Sequence, residues 1–174
     1  MTTLVTYASR HGATAEIAAR IARQLADAGV AVDVRHVEQV ETLDEYETVV
    51  FGAPVYDQRW PPEADRFAAE HRAGLAERPL WLFSVGSFGD TKPVIGRLTH
   101  KEPREIAGIR ADLRPREYRV FRGVIEKHQW PFWSRVFFHA FGGRFGDHRD
   151  WPTIDSWAER IAGAMTELRA PTQV

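Results

Sequence analysis

The 174-residue chain contains no cysteine. That excludes a disulfide framework, thiolate catalysis and any cysteine-ligated zinc or iron–sulfur site. It also lacks an excess of charge of either sign. Twenty-three Lys and Arg against 24 Asp and Glu leave a formal net charge of -1, so nothing in the composition draws it toward nucleic acid. No apolar run approaches the roughly 20 residues of a membrane span. The N-terminus has no basic region followed by an apolar stretch, so no signal peptide is expected. What remains is a single domain over residues 1–174, long enough to bury a substantial core and expected in the cytoplasm. Aromatics are plentiful instead, with six Trp and ten Phe.

Along the chain, strand patterns alternate with helical ones. Thr3 to Tyr7 is an apolar strand. A helix over 13–28 follows, with Ile17, Ile21 and Leu25 on one face and Gly29 at its end. Val30–Val34 reads as strand two. Thr48–Gly52 reads as strand three, apolar on both faces as a central parallel strand should be. Pro61-Pro62 opens a helix to about residue 74. Leu80–Gly86 is strand four, a short helix lies near 103–112, and Tyr118–Glu126 is strand five. The last helix starts near Thr153 and carries Ile154, Trp157, Ile161, Met165 and Leu168 on one stripe. Five strands separated by helices predict an α/β fold with a parallel sheet covered on both faces.

In such a sheet, ligands sit beyond the carboxyl ends of the strands. Three loops leave those ends. The first, Ser9-Arg10-His11-Gly12-Ala13-Thr14, joins strand one to its helix. Amides at a helix N-terminus, two hydroxyls, a close-approach glycine and an arginine suit a phosphate. An ordinary turn capped by Ser9 or Thr14 is the alternative reading. The second loop runs from Gly52 through Ala53, Pro54, Val55 and Tyr56 to Trp60. The third holds Val85, Gly86, Ser87, Phe88 and Gly89. Glycines and aromatics there suit a flat ligand, although each aromatic could equally anchor its loop to the core.

Between strand five and the last helix lies an aromatic insertion, about 127–150. Trp133, Phe137 and Phe141 share a helical stripe, with Trp130 one turn earlier and Phe138 on another face. Lys127 and Arg135 add positive charge. Either this segment presents an apolar patch to a substrate, a quinone, a membrane surface or a partner, or it folds back and buries both faces. His128, His139 and His148 lack ligand spacing and no acidic cluster joins them, so no metal is expected.

The pattern Tyr7-x-Ser9-x-x-Gly12-x-Thr14, followed by Ile17-Ala18, resembles the FMN-phosphate loop of flavodoxins, although Thr6 stands where an aliphatic residue is usual. The two later loops are similar in position and composition to the isoalloxazine-binding loops of that family. Arg10 within the phosphate loop and the aromatic insertion resemble the flavodoxin-like protoporphyrinogen oxidases of the bacterial menaquinone-dependent type. This resemblance implies a flavodoxin-like sheet of order 2-1-3-4-5, with FMN as cofactor. Ser9, Arg10, His11, Gly12, Ala13 and Thr14 would hold the phosphate. Ala53–Tyr56 and Val85–Gly89 would border the ring, with Tyr56 or Trp60 over one face and Phe88 as the next candidate. It implies a flavin enzyme that oxidises a flat reduced substrate and passes electrons to a quinone. No side chain need act as catalyst, because the flavin carries the chemistry. Lys127, Trp130, Trp133, Arg135 and Phe137 would form the substrate or partner patch, in peripheral contact with the inner face of the membrane. The alternative is an FMN electron carrier that docks on a protein redox partner. Near-neutral charge speaks against the carrier, because flavodoxins are strongly acidic.

Overall fold

The computed structural model describes residues 2–86, 104–125 and 146–169. Within them the chain runs β1 (Thr2–Tyr7), α1 (Ala13–Asp27), β2 (Val32–His36), a 3-10 turn (Val37–Gln39), β3 (Tyr46–Pro54), α2 (Pro62–Glu70) and α3 (Arg72–Ala76). It continues through β4 (Leu80–Gly86), α4 (Arg104–Leu113), β5 (Glu117–Arg122), β6 (Val124–Ile125), β7 (Gly146–Asp147) and α5 (Trp151–Arg169). Strands β1 to β5 form one parallel sheet in the order β2-β1-β3-β4-β5, as expected. Strands β6 and β7 pair antiparallel in a separate ribbon.

Period-two alternation in the central strands sends residues to two cores. Leu4, Val49, Phe51, Leu80 and Leu82 face α2, α3 and α4, where they meet Phe67, Leu75, Ile106 and Leu113. Val5, Val50, Trp81 and Phe83 face α1 and α5, where they meet Ile17, Ile21, Leu25, Trp157 and Ile161. Because β1, β3 and β4 are covered on both sides, their sequences read as nearly continuous apolar runs. Buried hydroxyls interrupt those runs at Thr3, Thr6, Thr48 and Ser84, and that of Thr6 has no hydrogen-bond partner among the described residues.

Several boundaries differ from the sequence reading, each for a local reason. Strand β2 starts at Val32 because Val30 belongs to the end of α1. The Gly29 amide donates to the Ala26 carbonyl and the Val30 amide to that of Leu25, with Gly29 at φ 81. That is a Schellman cap. The helix expected over 62–74 breaks at His71 into two pieces. Strand β5 stops at Arg122: the Gly123 amide makes the last ladder bond, to the Gly86 carbonyl, and Val124–Ile125 pair with β7 instead. Leu168, expected on the buried stripe of α5, is 45% exposed. It lies beside Thr2, Thr3 and Pro79, where the sheet ends and no described element packs over it.

Ion pairs pin the periphery. Arg20 on α1 makes a bidentate pair with Asp155 on α5, both bonds 2.7 Å. The Asp155 carboxyl is held below its ordinary range by that hydrogen bond. Asp33 is likewise lowered, first by the Tyr46 hydroxyl, and Asp147 by Arg149. A carboxylate with a depressed folded pKa stabilises the fold above its unfolded value, about 4, and loses that contribution as pH falls through the folded value. Thermal midpoints should therefore fall below about pH 4. Asp155→Asn should flatten that acid limb, and an unchanged limb would show that these carboxylates do not drive it.

Candidate functional site

The carboxyl ends of the strands are tied edge to edge by backbone hydrogen bonds. The Ala8 amide donates to the Gly52 carbonyl at 3.0 Å, Val55 to Val85 at 2.8 Å and Gly123 to Gly86 at 3.1 Å. Residues leaving β1, β3, β4 and β5 thus share one rigid rim. At Gly52 an added Cβ would lie 2.0 Å from the Phe83 ring. Only glycine lets β3 pass there.

The first loop is built around an anion-binding geometry. Gly12 is the N-cap of α1 at φ 85, with no side-chain cap. Neither Ser9 nor Thr14 caps the helix. The Ser9 hydroxyl instead accepts the Gly12 amide at 3.1 Å, which closes the loop on itself. The first intrahelical bond runs from Glu16 N–H to the Gly12 carbonyl. The amides of Ala13, Thr14 and Ala15 are left as first-turn donors. Thr14 is 1% exposed, whereas Arg10 and His11 are exposed. Backbone donors, the helix dipole and a nearby guanidinium fit a phosphate.

The second loop starts later than the sequence indicated. Ala53 and Pro54 still belong to the β3 ladder, opposite Ser84 and Val85, so the free loop begins at Val55. From there a tight ribbon forms: Tyr56 and Arg59 exchange two backbone hydrogen bonds of 2.9 Å. Asp57 and Gln58 bridge them at φ 47 and 67. Two positive φ values are the sign pattern of a type I′ turn, here without glycine or asparagine. Such strain persists where the surroundings over-determine it, as at binding sites. The ribbon sets Tyr56 against the first loop. Its ring lies 6.1 Å from His11, edge-on, and 5.8 Å from the Arg10 guanidinium carbon. Burial pushes the Tyr56 hydroxyl up, while Arg10 pulls it down.

Trp60 is not part of this surface. It is 4% exposed, packs edge-on against Phe51 and donates its indole N–H to the Ser84 hydroxyl at 2.9 Å. The Tyr118 hydroxyl bonds the same oxygen at 3.0 Å. The expectation that Trp60 could cover a flat ligand is therefore corrected: the indole is buried in the core cluster with Phe51, Ala64 and Phe67. Tyr56 is left as the half-exposed aromatic of that loop.

In the third loop, Val85 and Gly86 are the last buried residues of β4. Ser87, Phe88 and Gly89 lie outside the described residues, as do Lys127, Trp130, Trp133, Arg135 and Phe137. The base of the insertion is described, however. The ribbon of β6 and β7 sets Ile125 opposite Gly146, so the two described ends that flank residues 126–145 lie side by side. Among the described residues, no helix is long and apolar enough to cross a membrane.

Sequence reasoning missed two groups beside the phosphate-type loop. Glu16, in the first turn of α1, carries a carboxylate oxygen 3.8 Å from where a Gly12 Cβ would lie. Arg149, in the segment returning from the insertion, bonds that carboxylate and also Asp147, at 2.6 Å. Its guanidinium sits 4.6 Å above the Trp151 ring. No local signal pairs residues 133 positions apart.

Comparison with known proteins agrees with this arrangement. The family model described as a flavodoxin domain matches residues 4–141. A protoporphyrinogen IX dehydrogenase [quinone] of Escherichia coli (strain K12) is 24% identical over 173 residues, covering 93% of this chain and 95% of that protein. A flavodoxin from the domain Archaea superposes with a TM-score of 0.62 at 15% identity, covering 95% of this chain and 99% of its own. The rubredoxin:oxygen oxidoreductase of Desulfovibrio gigas gives a TM-score of 0.67 at 12% identity and 98% coverage, although this chain spans only 37% of that protein. FMN is the cofactor of this fold family, and the donor set of the first loop fits its phosphate. With the matched region running from β1 into the insertion, the chain belongs to the flavodoxin domain family.

Proposed function

We propose that this protein is an FMN-dependent oxidoreductase that oxidises a flat reduced substrate of the protoporphyrinogen type and passes the electrons to a quinone. One observation carries the reading: the similarity to the Escherichia coli protoporphyrinogen IX dehydrogenase [quinone] extends over nearly the whole of both chains. The rim of strand ends supports the flavin part of it. Bound FMN supplies the two-electron redox chemistry. The Ser9–Thr14 loop holds the phosphate, Tyr56 covers one face of the ring, and the Val55 carbonyl and the segment after Gly86 border its polar edge. A carrier that docks on a protein partner is the second reading, favoured by the fold it shares with flavodoxins. The net charge of -1 disfavours it, because electrostatic docking of an acidic carrier needs an excess of one sign.

The deciding experiment is the absorption spectrum of the purified protein, followed by anaerobic addition of protoporphyrinogen with and without menadione. Flavin absorbance that bleaches with protoporphyrinogen and returns with menadione supports the enzyme. A flavin-loaded protein inert to porphyrinogen with every quinone tried selects the carrier.

Two substitutions probe the assigned roles. Thr14→Ala should weaken FMN by about 1–2 kcal/mol, the cost of a hydrogen bond to a charged group. An unchanged Kd would remove Thr14 from the phosphate site. Tyr56→Ala should shift the flavin spectrum and potential and raise flavin fluorescence. Trp60→Phe should leave the flavin unaltered and cost about 1–2 kcal/mol of stability through the Ser84 hydrogen bond. The reverse pattern would place Trp60 at the ring.

A further inference from the structure

We infer that Arg149 is a positioning residue of the FMN phosphate site: held by Asp147, it offsets the charge of Glu16, so that the first turn of α1 repels a phosphate less. This rests on the FMN reading above and adds a charge device to it. The Glu16 carboxylate lies over Gly12, the N-cap of the helix whose first-turn amides would face the phosphate. A phosphate monoester carries about two negative charges at neutral pH. An uncompensated carboxylate beside it opposes binding, although the same carboxylate favours the N-terminus of an empty helix.

Arg149 is built to ease that conflict. Its side chain is 9% exposed, while that of Glu16 is 62% exposed. The guanidinium is held at three points: by Asp147, by Glu16 and by the face of Trp151. The Asp147 carboxylate also accepts the Arg149 amide at 3.0 Å, and Trp151 packs on the core. A cation fixed this firmly loses little side-chain entropy when it pairs with Glu16. One turn further along α1, Arg20 pairs with Asp155. The segment returning from the insertion is thereby fastened along α1, from the phosphate loop onward. The final stretch of the insertion is thus part of the cofactor site, and its charge bears on the phosphate alone.

Riboflavin, which has the ring and lacks the phosphate, separates a charge effect from a structural one. FMN and riboflavin are titrated into flavin-free full-length protein by flavin fluorescence, with thermal midpoints as a control for folding. R149Q is expected to weaken FMN by about tenfold, equivalent to 1.4 kcal/mol, and to leave riboflavin within about twofold. R149K should retain the wild-type ratio of the two affinities. E16Q, at an exposed position, should tighten FMN and leave riboflavin unchanged, because it removes one of the two carboxylates that share the Arg149 charge. The double variant E16Q/R149Q should recover most of the lost FMN affinity. Equal losses of both flavins in R149Q show a purely structural role and overturn the inference. So does E16Q if it weakens FMN, a result that stands even if R149Q does not fold. A wild-type chain that binds riboflavin as tightly as FMN removes the phosphate-site reading itself, and one that binds neither removes the flavin reading.

Discussion

Removing residues 126–145 and joining Ile125 to Gly146 through a two-residue turn is expected to leave a folded, FMN-loaded protein that no longer oxidises protoporphyrinogen. The reason for the first half is geometric. Strands β6 and β7 set Ile125 and Gly146 opposite each other, so a short hairpin turn closes the gap. The five-stranded sheet and the described residues of both cores lie outside the removed segment. The deletion must stop short of Arg149, because that side chain bonds Glu16 beside the phosphate loop. A cut taken through residue 150 should loosen FMN as well. The second half follows from composition: the segment holds Trp130, Trp133 and Phe137, with Lys127 and Arg135, on which the proposed platform depends. Trp130→Ala or Trp133→Ala should raise the porphyrinogen or quinone requirement without changing FMN affinity. Full turnover by the deleted protein would assign the substrate site elsewhere. Loss of the fold would show that the aromatics of the insertion belong to the core.

Gly52→Ala should be among the most damaging single substitutions in the chain. The added methyl carbon falls 2.0–2.5 Å from three atoms of the Phe83 ring. That ring cannot withdraw: Phe83 is fully buried and packs against Phe121 and Trp157. Overpacking of this kind costs about 1–3 kcal/mol and sometimes more. The Gly52 carbonyl also accepts the Ala8 amide, just before the first loop, so FMN affinity should fall together with the thermal midpoint. Phe83→Leu alone should cost stability by leaving a cavity. Combined with Gly52→Ala it should cost less than the sum, because the smaller side chain makes room for the methyl. Additive losses would show that the clash is relieved by backbone movement instead.

The parts of the site legible in the sequence are those governed by neighbours along the chain. Gly12 and the helix after it announce an anion-binding N-terminus within six residues of the end of β1. The glycine ending α1 and the double-sided apolar runs of β3 and β4 are equally local. Trp60 shows where this reading ends. A tryptophan in a strand-end loop, just before Pro61-Pro62, has the same local signature whether it faces a ligand or the core. Its partner, the Ser84 hydroxyl, lies 24 residues away on β4. The strain at Asp57 and Gln58 is invisible for a related reason. Neither residue type requires positive φ; the pairing of Tyr56 with Arg59 imposes it.

The sequence by itself determined the order of strands and helices, the parallel sheet implied by their alternation, and the glycine-capped loop at the end of β1. Each of these depends on periodicity, capping and turn chemistry over a few residues. Tertiary structure alone decided which aromatic stands at the rim, where β3 gives way to the ribbon, and that Glu16 meets Arg149. Those outcomes depend on contacts between segments far apart in the chain. Such contacts arise when the sheet closes and α5 packs along α1, which brings the charge carried by the returning segment to the mouth of the phosphate loop.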